Sequence, residues 1–209
     1  MLEAVASQDL WIWHAFFGVA GSNNDINVLN QSPLFTQHLQ GRAPPVDFQV
    51  NGRQYNLGYY LADGIYPKWA TFFKTIPLPQ TEKEKLFAKH QEGARKDVER
   101  AFGVLQSRFA IVRGPSQIWD TPTLSDIMYA CVILHNMIVE DERDLYEGNF
   151  EYDGLEEIER PTMEDVNRGA PHLLTADILR INADIHNRTT HQQLQLDLLE
   201  NILQKFGGN

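Results

Sequence analysis

The sequence has few of the features that mark secreted, membrane-bound or zinc-binding proteins. Cys131 is the only cysteine among 209 residues and lies in the apolar run IMYACVILHNMIV, so no disulfide can form within the chain and a reducing compartment fits. No apolar run reaches the roughly 20 uncharged residues of a membrane-spanning helix, which predicts no membrane partner. Zinc-ligand clusters, glycine-rich phosphate loops, helix-turn-helix, homeodomain and zinc-finger patterns are also missing.

Charge is unevenly distributed along the chain, whose formal net charge is -10. Residues 140–165 contain twelve acids against two arginines, so the remainder is close to neutral and the acidic segment is expected to be a mobile surface linker. Residues 83–113 contain eight basic and four acidic residues. That stretch suits either an ordinary solvated helix face or contacts to nucleic-acid phosphates, and the charge pattern alone leaves both open.

Two hairpins are predicted in the first third of the chain. Residues 2–6 and 10–19 are apolar and aromatic around a Ser-Gln-Asp turn, which is typical of paired strands. Asn51-Gly52 suits a tight turn in which both central residues take positive φ, so residues 46–50 and 53–61 form the second predicted hairpin. The second strand of that hairpin is expected to place Asp63 at its end.

Three helices are predicted in the rest of the chain. Thr81 and Glu84 form a capping box that opens a helix to about residue 110, and Glu99 lies beside its apolar stripe. Thr121-Pro122 opens a second helix that is apolar almost all round and should pack centrally. Its predicted buried face consists of Ile127, Ala130, Cys131, Leu134 and Ile138. A last helix, at about residues 190–206, has a wide apolar face suited to a partner or to a second copy of the chain.

Three acids are candidates for a divalent-metal site: Asp25 in GSNNDINVL, Asp63 in YYLADGIYP and Glu99 in KDVERAFGVL. Mg²⁺ and Mn²⁺ are hard cations that prefer carboxylate oxygens, and a pair of them about 4 Å apart can activate water against a phosphodiester. Spacing alone is a weak signal, because the chain contains 28 acids and most such trios are solvated surface.

Several longer phrases carry a resemblance that adds to this hypothesis: YYLADGIYPKWATFFKTIPLP, KDVERAFGVLQSRFAIVRGP, ACVILHNMIVEDE and most of residues 3–35. They resemble the plant branch of the PIF/Harbinger transposase family, the source of domesticated Harbinger-derived nucleases. The resemblance implies an α/β fold, a ribonuclease-H-like mixed sheet with flanking helices that here lacks its first strand. The last predicted helix adds a C-terminal helical extension to it. The resemblance also implies a DDE-type site in which Asp25, Asp63 and Glu99 match the acids of the family phrases and bind Mg²⁺ or Mn²⁺.

The same resemblance implies DNA as the substrate and a Myb-like partner protein that supplies sequence recognition. A nuclear location follows from that partner, with the cytoplasm as the alternative. Asp25, Asp63 and Glu99 do not complete the family's acid set, because its first aspartate lies on an opening strand upstream of the region where this sequence begins. Asp9 is a poor substitute, since it lies in a hairpin turn. The expected domains are a partial nuclease-like domain (1–139), an acidic linker (140–172) and a helical tail (173–209).

Two functions therefore remain as hypotheses: a metal-dependent DNA endonuclease, expected to be impaired here because the family's first aspartate is absent, and an inactive transposase remnant that acts as a protein-interaction module. Other tempting residues have simpler interpretations. His14 is expected on a sheet face, and the pair His135-Asn136 is expected to cap or bridge backbone groups rather than catalyse. Trp11 and Trp13 are expected in the core or on a sheet surface rather than as a base-stacking platform.

Overall fold

The chain forms short strands first and long helices afterwards, which confirms the predicted mixed α/β class. The computed structural model describes residues 2–17, 25–43, 46–142 and 174–207, without the side chain of Asp25. The elements in chain order are β1 (Leu2–Ala6), β2 (Ile12–Phe17), α1 (Asp25–Gln31), α2 (Thr36–Leu39), β3 (Phe48–Val50), β4 (Arg53–Tyr55), β5 (Tyr60–Leu61), β6 (Phe72–Phe73), α3 (Glu82–Arg108), a 3-10 turn (Ala110–Val112), α4 (Thr121–Asp141), α5 (Thr175–Ile185) and α6 (Arg188–Phe206).

The described strands pair only in twos. β1 with β2 and β3 with β4 are antiparallel, whereas β5 and β6 are parallel. The first hairpin agrees with the sequence prediction, and its register shifts between Val5 and Ala6. A mixed α/β chain with small sheets is therefore established, and the finer ribonuclease-H-like sheet is not confirmed by these pairs.

The second hairpin is only half as long as predicted. Asn51 and Gly52 have φ angles of 50° and 79°, so the positive-φ turn is confirmed. The strand after the turn ends at Tyr55, however, and Tyr60–Leu61 pairs with Phe72–Phe73 instead. The reason is that the Phe73 side chain is 1% exposed at the centre of a core, and the backbone bonds from β5 hold that strand beside it.

The predicted helix starts are confirmed by their capping bonds. Thr81 Oγ1 accepts the Glu84 N–H at 3.2 Å, and the Glu84 carboxylate accepts the Thr81 N–H at 3.0 Å. Both bonds satisfy donors that a helix start leaves unpaired. Asp120 caps α4 by accepting the Thr123 N–H at 2.9 Å, with proline in the first turn where its missing N–H costs nothing. α3 ends at Arg108, two residues before the predicted end.

The chain divides into two units, each with its own core. The first unit comprises Met1–Ser32 and Lys96–Arg160, and its core contains Ile12, Leu105, Cys131 and Val132. The second comprises Pro33–Arg95 and Pro161–Asn209, and its core contains Val50, Tyr55, Phe73, Phe87 and Leu194. The predicted division into 1–139, 140–172 and 173–209 stays a prediction, and most of the predicted linker lies outside the described residues.

Helix α4 buries one face only. Its buried residues are Met128, Cys131, Val132, His135 and Val139. The predicted buried face was wrong for Ala130 and Leu134, which are exposed, because a helix that is apolar all round does not reveal which side meets the hairpin. Among the described residues α4 alone has the length and mean hydropathy, 1.3, that would allow it to cross a membrane, and a core helix passes the same test.

Candidate functional site

Asp63 lies two residues after the end of β5, beyond the carboxyl end of that strand. Its exposed carboxylate accepts the Gly64 N–H through Oδ1 at 2.6 Å. The Lys74 ammonium donates to the carbonyls of Gly64 at 3.0 Å and Tyr66 at 2.6 Å, which braces the loop that follows Asp63. Burial, and then the charge of Lys68, lowers the pKa of Lys74. The loop therefore presents Asp63 to solvent on a supported backbone.

Glu99 lies on the exposed side of α3, beside the apolar stripe that includes the buried Leu105, as the sequence predicted. Glu99 and its neighbours Arg95 and Arg100 all take part in polar interactions. Arg100 donates to the Gln8 carbonyl at 2.6 Å and pairs with Asp97 at 3.3 Å. Glu99 thus belongs to a helix side rich in charge, anchored to the β1–β2 turn.

The meeting of the three predicted carboxylates stays a prediction. Asp25 is the first residue of α1, and its side chain lies outside the described part of the structure. Asp25 and Glu99 belong to the first unit, whereas Asp63 belongs to the second. Among the side chains that are described, no three of the His, Cys, Asp or Glu type are grouped to hold a metal ion.

His135 and Asn136 bind backbone groups of the β1–β2 hairpin, which confirms the simpler interpretation of both. The Asn136 amide accepts the Ile12 N–H at 2.9 Å and donates to the Ile12 carbonyl at 2.8 Å. His135 is fully buried, and its Nε2 lies 2.9 Å from the Leu10 carbonyl. Burial lowers the pKa of His135, so its neutral form donates through Nε2. These residues hold α4 on the hairpin rather than face a substrate.

His14 and the neighbouring tryptophans also have structural surroundings. His14 Nε2 lies 3.2 Å from the Ser32 hydroxyl and 3.8 Å from the Glu3 carboxylate, and burial lowers the pKa of His14. Trp13 is 43% exposed, and its indole N–H donates to the Ser7 hydroxyl at 2.8 Å. The sheet-surface interpretation fits these contacts.

The second unit contains an open groove of mixed polar and apolar lining that the sequence did not reveal. It has a volume of about 400 Å³ and lies between β4 and the start of α6. Arg53 at its wall is 3.6 Å from Asp197, and the Tyr55 hydroxyl donates to the same carboxylate at 2.5 Å. Burial and the hydrogen bond to Asp197 raise the pKa of Tyr55 to about 12. Arg53, the one cationic side chain among the residues that line the groove, is therefore already paired with the Asp197 carboxylate.

Comparison with known proteins decides the family. Residues 1–146 match the model of a family described as plant transposon protein. The chain belongs to the plant transposon protein family. This confirms the resemblance to plant transposase-derived proteins. The matched region contains Asp25, Asp63, Glu99 and the His135-Asn136 pair, whereas α5 and α6 lie beyond it.

A curated relative supports the same family. "Protein ALP1-like" from Arabidopsis thaliana is 29% identical over 151 residues, which cover 68% of this chain and 35% of that protein. The chain thus spans about a third of the length of this relative. No solved structure matches the chain. The groove between β4 and α6 is lined by residues both inside and beyond the plant transposon protein match.

Proposed function

We propose that this chain is part of a divalent-metal-dependent DNA endonuclease-like protein with a DDE-type site. Asp25, Asp63 and Glu99 are the proposed ligands of Mg²⁺ or Mn²⁺. The observation that carries the proposal is the plant transposon protein match, which covers all three acids. The position of Asp63 adds support, because its exposed carboxylate lies on a loop whose backbone Lys74 braces.

The donor set suits the proposed ion. All three side chains offer carboxylate oxygens, which hard divalent cations prefer to nitrogen or sulfur. When bound, such an ion lowers the pKa of a coordinated water and stabilises the leaving oxygen of a phosphodiester. The contribution of the chain itself is to position acids: Lys74 braces the loop after Asp63, and α3 holds Glu99 on a rigid helix.

DNA is the proposed substrate. Basic residues are frequent along α3, and Lys83, Lys85 and Lys89 are exposed near its start. Lysines of this kind attract phosphates with an affinity that falls as salt rises. A Myb-like partner protein and a nuclear location are proposed with the substrate, since the sequence carries no recognisable DNA-reading motif of its own.

A nicking assay tests the proposal. Purified protein with Mn²⁺ should convert supercoiled plasmid to the open-circular form, and Glu99→Gln and Asp63→Asn should each abolish this. Glu92→Gln is the matched control, because Glu92 is also an exposed glutamate on α3 but matches no family phrase. Nicking that persists in Glu99→Gln would reject the site. Calorimetric titration with Mn²⁺ provides a second readout, in which Asp63→Asn should weaken binding and Glu92→Gln should not.

A catalytically inactive interaction module is the second candidate. The feature that favours it is the exposed apolar side of α4, where Ile133 and Met137 are each 60% exposed. If the chain is such a module, its Kd for Mn²⁺ should be millimolar or weaker, and it should not nick DNA. Micromolar Mn²⁺ binding that depends on Glu99 would count against it.

A further inference from the structure

Helix α4 is apolar on two opposite sides, and within the described residues only one of them is covered. Cys131 and Val132 pack with Ile12 in the core of the first unit. On the other side Ile133 and Met137 are each 60% exposed, and Leu134 is 48% exposed. Single exposed apolar residues are ordinary, but a continuous row of large ones marks an interaction surface.

These exposed residues form one stripe because of their spacing. Ala130, Ile133, Leu134 and Met137 are three or four residues apart, so they lie along the same side of the helix. We call this row the outer face of α4. Its apolar part is about 10 Å long at 1.5 Å per residue. This length matches about two turns of a partner helix packed along the outer face.

Acidic residues lie at both ends of the outer face. Asp126 is seven residues before Ile133 and Asp141 is four residues after Met137, so helical spacing places both carboxylates on the same side as the stripe. Both are exposed. They are about 22 Å apart along the helix axis. A partner that covers the stripe must therefore meet a negative charge at each end.

This charge pattern argues against a second copy of the chain. Two α4 helices packed antiparallel would bring Asp126 of one against Asp141 of the other, and parallel packing would bring identical acids together. Like charges opposed in this way destabilise a helix pair. The segment at residues 140–165 is no better suited, since it contains twelve acids against two arginines.

We propose that the outer face of α4 docks an amphipathic helix of another protein, in which apolar residues at helical spacing are flanked by Lys or Arg about 22 Å apart. The apolar residues would cover Ile133, Leu134 and Met137, and the basic ends would pair with Asp126 and Asp141. The inference uses none of the three metal-binding candidates, so it is independent of the proposed nuclease, and it names the partner that the interaction-module candidate would take. It concerns a partner helix rather than DNA.

A pair of designed peptides tests the proposal with the full chain. Both are fluorescein-labelled helices of about 20 residues with leucines at i, i+3, i+4 and i+7, one ending in lysines and the other in glutamates. The lysine-ended peptide should bind about threefold to tenfold more tightly by fluorescence anisotropy. The double variant Asp126→Lys with Asp141→Lys should reverse that preference. Equal binding of both peptides to the wild-type chain would overturn the proposal.

Surface variants locate the binding. Ile133→Ser with Met137→Ser should weaken the lysine-ended peptide by at least about tenfold, while circular dichroism stays unchanged because both side chains are exposed. Leu196→Ser is the matched control, since Leu196 is 62% exposed on α6, and it should leave the affinity unchanged. Equal loss in the control variant would contradict the assignment.

Two further measurements discriminate against other occupants of the outer face. Sedimentation velocity that showed a dimer, lost in Ile133→Ser with Met137→Ser, would identify a second copy and overturn the proposal. Flotation of the chain with neutral or anionic phospholipid vesicles, lost in the same variant, would identify a membrane and overturn it as well. A chain that sediments as a monomer, remains in the bottom fraction of the flotation gradient and binds the lysine-ended peptide supports the proposal.

Discussion

Asn136→Ala should destabilise the first unit more than any surface substitution on α4. The Asn136 amide satisfies both the N–H and the carbonyl of Ile12, a residue that is 4% exposed. Each buried backbone group that loses its partner costs roughly 1–3 kcal/mol. Because Asn136 itself is half-buried, some water can replace it, and we expect a loss of roughly 2–4 kcal/mol in the free energy of unfolding.

Urea denaturation measures this loss through tryptophan fluorescence, since Trp11 and Trp13 flank Ile12. Ile133→Ala is the matched control on the same helix, because Ile133 is 60% exposed and should change stability by less than about 0.5 kcal/mol. Hydrogen exchange gives a local readout, in which the Ile12 amide should lose protection in Asn136→Ala alone. Stability within about 0.5 kcal/mol of wild type, with Ile12 still protected, would refute the reasoning.

Three further predictions concern the cores, the buried histidines and the glycines. Phe73→Ala should cost roughly 3–5 kcal/mol, measured by urea denaturation, because Phe73 is 1% exposed at the centre of the second core. Burial lowers the pKa of His135 and His191 below 6.5, so these side chains bind protons more readily in the unfolded chain than in the folded one. Their contribution to the free energy of unfolding should therefore be fully present above about pH 6.5 and decrease as the pH falls below it. A urea midpoint that is the same at about pH 5.5 as at neutral pH would contradict this. Gly52→Ala should cost about 1 kcal/mol through its φ of 79°, whereas Gly93→Ala within α3 should stabilise by a similar amount; thermal melts with the opposite signs would disprove both.

Features that depend on neighbouring residues could be predicted from the sequence. The Asn51-Gly52 turn follows from the few residues that tolerate positive φ, and its angles of 50° and 79° agree. The start of α3 follows from the reciprocal bonds of Thr81 and Glu84, both of which form. Local chemistry decides each of these features, so no knowledge of distant contacts was needed.

Features that depend on distant partners could not be predicted. Nothing in the letters YYLADG indicates that Tyr60 pairs with Phe72 in a parallel ladder, and the sequence pattern instead predicts that this strand belongs to the preceding hairpin. The side of α4 that is covered could not be predicted either, because apolar residues surround the helix. Only the contact with Ile12 places Cys131 rather than Leu134 in the core. The three acids of the candidate site share this difficulty, because family phrases identify them but long-range packing decides where they lie.

Burial of Cys131 has a practical consequence for measuring the candidate site. The side chain is 6% exposed, and desolvation raises the pKa of its thiol, so little reactive thiolate forms near neutral pH. Maleimide dyes and nitroxide labels should therefore pass over the native thiol and attach to cysteines introduced at exposed positions beside Asp63 and Glu99. Two labels can therefore be introduced without removing the native cysteine, and the distance measured between them would report how far apart the two carboxylates lie.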